Sequence, residues 1–207
     1  MDVVARRAGA GGRTARRAVV ASTSLLRLCG AGGWRLTPLM AHERQEVQAA
    51  IERYIAVRDE INAGDRPWRD LAQFFTDDAV FIDPAWGRVE GIEEMKRTVF
   101  GEAMEGLEDW QFPTEFYAID GDNVVVKWQQ ILPGQRADGT PYKQSGYSTL
   151  IYAGDGKFSY EEDLLNMAHF FEDMAASGWT PPANMGMPPR HPNRDFSRPA
   201  TGGSCDG

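Results

Sequence analysis

The feature that most constrains this chain is a change of apolar period near residue 110. Before it, apolar residues recur at three- and four-residue steps; after it, they alternate. From His42 to Asn62, the residues Val47, Ile51, Tyr54, Ile55 and Ile61 define a helix with one buried face, stopped by Asn62-Ala63-Gly64. Asp65 is placed to cap a shorter helix with Pro67 in its first turn and Trp68, Leu71, Phe74 and Phe75 turned inward, closed by Thr76 to Asp78. Gly91 opens a third helix whose apolar stripe is Ile92, Met95, Val99 and Ala103, with Glu93 and Glu94 where the helix dipole favours acids. Beyond 110 come four period-two segments, Thr114 to Ile119, Asn123 to Leu132, Lys143 to Ala153 and Lys157 to Leu165, divided by turn residues such as Asp120-Gly121-Asp122 and Gly154-Asp155-Gly156. A short helix, Asn166 to Ala176, is expected to lie across them. Helices followed by a run of strands read as α+β: a cone-shaped, curved antiparallel β-sheet with helices packed on its concave face. Such a cone either fills itself or stays open as a ligand cavity.

Within this plan the stretch DDAVFIDPAWGRVEG, Asp77 to Gly91, is unusual. Ala79, Phe81 and Asp83 share one face of a strand, which puts an acid in an apolar row. Pro84 then ends the strand, because it keeps Asp83 extended and supplies no ladder donor. An aspartate that only caps its own turn is the plainer reading. Trp86 sits in the loop beside Asp83 and is expected at the cavity mouth, where a low-dielectric wall would raise the pKa of the acid toward a general-base range.

Charge is divided along the chain. Residues 1 to 39 carry seven arginines against Asp2, whereas residues 40 to 207 carry 15 basic and 29 acidic residues. The acidic body argues against nucleic acid as a partner. No stretch has the length of a membrane span. The expected organisation is a disordered basic extension over residues 1–41, one domain over 42–176, and a Pro/Gly-rich disordered tail over 177–207. The location is read as cytoplasmic, with an export or transit signal as the other reading of the basic extension. Cys29 and Cys205 lie in the tails and the three histidines are scattered, so no metal site is indicated.

Three segments, TDDAVFIDPAWGRVEGIEEMKRTV, DGDNVVVKWQ and DGKFSYEEDLLNM, give residues 44 to 175 a resemblance to the nuclear transport factor 2-like superfamily, and within it to the SnoaL-like group that includes the ketosteroid isomerases. The resemblance implies a cofactor-independent isomerase or cyclase acting on an apolar carbonyl compound, or a ligand-binding or dimerisation module of the same fold. It also implies a homodimer and a small apolar or polycyclic ligand. By the same resemblance, Asp83 matches the general base and Tyr54, in ERYIAVRDEINAGD, the oxyanion-hole tyrosine. Ser148 stands where the isomerases carry a protonated aspartate, and the late acid of the cyclases falls to one of Glu161, Glu162 and Asp163. The epoxide hydrolases of the fold use an arginine between two aspartates, and the strands here offer only Lys127 and Lys143.

The residues themselves add two readings. On the last strand Glu161, Asp163 and Leu165 share one face and Tyr160, Glu162 and Leu164 the other, so at least one acid faces the concave side unless the strand is simply a charged edge. Gln129 shares a face with Val125 and Lys127, and Trp128 alternates with them. The ligand-lining set expected from these patterns is Trp86, Phe81, Trp128, Gln129 and Tyr147.

Overall fold

The structure, a computed structural model, describes residues 41–199. Helix α1 (Arg44–Asn62) buries Val47, Ala50, Ile51, Tyr54, Arg58 and Ile61; of the stripe expected from its period Ile55 is only partly buried, and Ala50 and the charged Arg58 are added. A seven-residue 3-10 turn (Trp68–Phe74) follows and leads directly into β1 (Phe75–Asp83). The strand therefore begins before the Thr76–Asp78 segment that was expected to close a helix. A short β2 (Gly87–Glu90), which the sequence did not reveal, folds back on β1 and pairs Asp83 with Gly87. Then come α2 (Ile92–Arg97), β3 (Thr114–Asp120), β4 (Asn123–Gln135), β5 (Pro141–Gly154), β6 (Lys157–Leu165) and α3 (Met167–Ser177). Asn166 caps α3 through its side chain, which accepts from the Ala168 and His169 amides, and Gly178 ends it in the left-handed conformation.

The six strands form one sheet in the order β2-β1-β6-β5-β4-β3. Strands β3 to β6 are the antiparallel meander that the alternation predicts. The join between β1 and β6 is parallel, so the sheet is mixed, and β6 is a central strand rather than a charged edge. The architecture is an α+β cone whose sheet does not close. Its inner face carries Val124, Val126 and Trp128 on β4, Ser148 and Leu150 on β5, and Phe158 and Glu161 on β6, all buried. Helix α1 lies on that face, with Tyr54 making edge contacts to Phe74, Phe75 and Phe158 at centroid distances of 5.7, 6.3 and 6.0 Å. A smaller cluster of Val80, Ile82, Ile151 and Tyr160 packs on the outer face.

The segment after α3, expected to be a disordered tail, has no helix or strand but makes specific contacts over residues 181–199. The Gly186 amide donates to the Glu105 carbonyl at 3.2 Å and the Arg88 amide to the Asn193 carbonyl at 2.9 Å. The Arg194 guanidinium donates to the Pro84 carbonyl at 2.7 Å. Gly87, at φ 77°, is required twice over: its backbone is left-handed, and a Cβ there would stand 2.4 Å from the Asn193 carbonyl oxygen. Proline removes amide donors from this segment, so its extended course is held by loop carbonyls and arginines instead of a ladder. No described helix is long and apolar enough to cross a membrane. The expected extension over 1–41 lies, apart from its last residue, outside the described residues.

Candidate functional site

An apolar cavity of about 360 Å³ opens on the inner face of the sheet. Its floor comes from β1, β4 and β6, one wall from α1 and α3, and part of its cover from Pro181, Met185 and Met187 of the C-terminal segment. The polar groups that reach it are Asp83, Asp163, Arg58 and Gln130. This balance of many apolar walls and a few convergent polar groups is that of a small-molecule site, and the volume falls in the lower part of the range for such sites.

Two aspartates meet here through strand register. In the parallel pair β1/β6, Phe81 stands opposite Glu161 and Ile82 opposite Glu162, so the next step brings Asp83 level with Asp163. Across the antiparallel pair β5/β6, Asp163 stands opposite Ser148, and Ser148 opposite Val126. Asp83, Asp163 and Ser148 thus form a row across three adjacent strands, each about 4.8 Å from the next. The Trp128 indole N–H donates to the Ser148 hydroxyl at 3.0 Å, and that hydroxyl donates to Asp163 Oδ1 at 2.5 Å. Trp128 reaches Ser148 only because Gly146 lies under its ring: a Cβ there would come within 2.4 Å of two ring carbons.

One layer deeper the polar groups are consumed internally. The Tyr54 hydroxyl donates to both carboxylate oxygens of Glu161, at 3.2 and 3.1 Å, and both residues are buried at 2% exposure. Burial pushes the Tyr54 phenol well up, and the Glu161 charge adds to it. Burial also raises Glu161, against which the Arg58 charge and the hydrogen bonds from Tyr54 and Ser148 act. Asp163 is driven well above the ordinary carboxylate range, first by burial and then by the charge of Glu161 beside it, with Ser148 and Arg58 opposing. Of this close pair, Asp163 is the one raised further, because Glu161 has the cation and the phenol on its side.

Asp83 is raised more modestly. Burial raises it, while hydrogen bonds from the Trp86 and Ala85 amides, both 2.7 Å from its Oδ1, and the charge of Arg194 hold it down. Those amides fix one oxygen and leave Oδ2 to the cavity.

Of the residues expected from the sequence, Asp83, Asp163, Phe81, Trp86 and Trp128 line the cavity. Tyr54 and Ser148 do not: Tyr54 is spent on Glu161 beneath the floor, and Ser148 is fully buried between Trp128 and Asp163. Gln129 and Tyr147 lie on the outer face, Gln129 donating to Glu115 and Tyr147 standing 40% exposed. Strand parity explains this, since Trp128 faces in and its neighbour must face out. The buried glutamine of the site is Gln130, whose Oε1 accepts from Gln144 at 3.2 Å. The residue type missed outright is the interior arginine, which comes from α1 and not from a strand. Arg58 follows Ile51 by seven positions and Tyr54 by four, so helical period alone places it on the apolar stripe.

A sequence profile of the SnoaL-like domain matches residues 51–160. Among solved structures, a candidate SnoaL-like polyketide cyclase from Jannaschia sp. CCS1 is 20% identical, with a TM-score of 0.50, over 72% of this chain and 100% of that one. A nuclear transport factor 2-like protein from Anabaena variabilis ATCC 29413 is 18% identical, with a TM-score of 0.49, over 62% and 95%. A protein of ketosteroid isomerase-like fold from Catenulispora acidiphila DSM 44928, crystallised with trimethylamine, is 19% identical, with a TM-score of 0.48, over 64% and 97%. No curated protein matches in sequence. The profile spans more than half of the chain, and it covers the strand, turn and helix around Asp83 as well as Tyr54, Arg58 and Ser148: the chain belongs to the SnoaL-like domain family.

Proposed function

We propose that the protein binds a flat, apolar carbonyl compound in this cavity and catalyses proton transfer next to the carbonyl, as a cofactor-independent isomerase or cyclase. Asp83 acts as the base through Oδ2, taking a proton from the carbon beside the carbonyl. Protonated Asp163 donates a hydrogen bond to the enolate oxygen that develops. Returning the proton to another carbon completes an isomerisation, and attack of the enolate carbon on a second carbonyl closes a ring. The observation that carries this reading is the row that sets Asp83 beside Asp163 at the floor of an apolar cavity. Environments that separate the pKa values of two neighbouring carboxyls assign one as base and the other as acid. Tyr54 acts at one remove, by holding Glu161 in place.

A second reading, a binding module without catalysis, is favoured by one observation: the two loop amides on Asp83 Oδ1 are the marks of an ordinary turn cap. One experiment separates the readings. A panel of steroid enones, polyketide intermediates and terpenoid ketones is screened by thermal shift, since a ligand of the folded state raises stability by mass action. Hits are then incubated in deuterated water and followed for exchange at the carbon beside the carbonyl. Exchange that depends on Asp83 supports the enzyme. Binding without exchange supports the module, and Asp83→Asn leaving exchange unchanged overturns the assignment of the base.

A further inference from the structure

Arg58 poses a question that the proton-transfer chemistry leaves unanswered. It lies on α1 one turn beyond Tyr54, is only 5% exposed, and lines the cavity. Its guanidinium sits 5.3 Å from the centroid of the Trp128 ring. Its Nε finds no hydrogen-bond partner, and Arg58 forms no ion pair among the described residues. The carboxylate nearest in kind, Glu161, takes its hydrogen bonds from Tyr54. A buried guanidinium is costly unless an anion and acceptors satisfy it, and stacking over an indole offsets only part of that cost. Its charge counters those of buried Glu161 and Asp163 at a distance, but no described carboxylate is in ion-pair or hydrogen-bond contact with it. Arg58 lines the cavity, so a ligand held there borders its side chain.

We infer that the ligand of this cavity carries a planar anionic group, a carboxylate, which docks on the Arg58 guanidinium while its rings lie along the apolar walls toward Asp83. The inference rests on the proposed reading of the cavity as a site for a flat apolar molecule, and it names that molecule as an acid. Its geometry is consistent with the sheet: Trp128, under Arg58, is on β4, and Asp83 is on β1, three strand spacings away in the order β1-β6-β5-β4. That is roughly 14 Å at the backbone, enough to hold an anionic end apart from the anionic base. A planar guanidinium also matches a carboxylate with two parallel hydrogen bonds, which a lysine could not supply.

The test uses the full chain and two probes of the same shape, 2-naphthoate and its neutral amide 2-naphthamide, with binding read from quenching of tryptophan fluorescence. Wild type should bind naphthoate about tenfold or more tightly than naphthamide, the worth of one charge-assisted hydrogen bond. Arg58→Met should abolish that preference, Arg58→Lys should retain part of it, and Arg194→Gln at the rim should leave it intact. Circular dichroism checks that the variants fold; if Arg58→Met does not, the wild-type ratio and Arg58→Lys still decide. Equal affinity of wild type for the two probes overturns the inference and leaves the cavity reading standing. A preference that survives Arg58→Met, or vanishes in Arg194→Gln, overturns it by moving the anion to the rim. Failure of both probes to bind overturns the inference together with the cavity reading beneath it.

Discussion

The inner face of the sheet has two ends that are built from the same strands and treated in opposite ways. At the filled end, Tyr54, Phe74, Phe75, Phe158 and Tyr152 interlock edge to face, and the one acid, Glu161, is closed off by a phenol. At the open end, two residues further along β1 and β6, Asp83 and Asp163 face space that the fold leaves for something else. Moving two residues along β6, from Glu161 to Asp163, thus separates an acid that supports structure from an acid available for chemistry. A buried acid marks function only where its partners leave a lone pair or a proton over for a ligand.

The sharpest way to break this contrast is Asp83→Asn, which keeps the shape and the turn hydrogen bonds but removes the proposed base. Proton exchange on a bound carbonyl ligand should fall by about 10²–10⁴-fold, the usual worth of a positioned base, with little change in Tm. Measured against wild type in deuterated water, an unchanged rate would return Asp83 to the role of turn cap.

Gly146→Ala probes the join between the two ends. The new Cβ would collide with the Trp128 ring, which must lift off β5 and release its hydrogen bond to Ser148. Overpacking of this kind should cost about 1–3 kcal/mol, read from urea unfolding. It should also weaken ligand binding, because Trp128 is cavity floor. Loss of stability with unchanged binding would show that the Trp128–Ser148–Asp163 chain does not set the cavity.

Much of this was legible from period and parity. The α1 stripe, the four meander strands, the inward face of Asp83 and the shared face of Glu161 and Asp163 follow from local spacing, and the structure agrees. Non-local pairing was not legible. Nothing in Lys157–Leu165 says that β6 will accept β1 as a parallel neighbour, yet that pairing is what sets Asp83 beside Asp163. The tetrapeptide β2 is too short for alternation to show. Residues 181–199 are rich in proline, and only their contacts with Arg88, Pro84 and Glu105 reveal how they are held. Arg58 occupies a stripe position by helical period, but an arginine there does not by residue type alone point to an interior place.

Tyr54→Phe tests the filled end alone. The variant leaves Glu161 buried without its phenol donor, and should cost about 1.5 kcal/mol of unfolding free energy, the low end for a hydrogen bond to a charged group. Because Tyr54 does not line the cavity, ligand affinity should change by less than about threefold, a shift within the range of substitutions away from a site. A rate loss comparable to that of Asp83→Asn would place the phenol among the reacting groups and erase the distinction between the two ends.

The smallest effect is a slope. Asp163 holds its proton in the folded protein at pH values where the unfolded chain, with an aspartate pKa of about 3.9, has lost it. From about pH 4 upward the folded state therefore binds more protons, and this group lowers stability as pH rises, by at most about 1.4 kcal/mol per pH unit for one proton. Asp83 and Glu161, also raised, tilt the curve the same way. Asp163→Asn keeps an acceptor for Ser148 and a donor toward the cavity but cannot titrate, so it should remove part of that tilt. The difference in Tm between variant and wild type should grow in favour of the variant from pH 4.5 to 7.5. A difference that stays flat across that range would mean that Asp163 ionises as it does in water. It could then no longer donate a hydrogen bond to an enolate, and the open end would hold two bases and no acid.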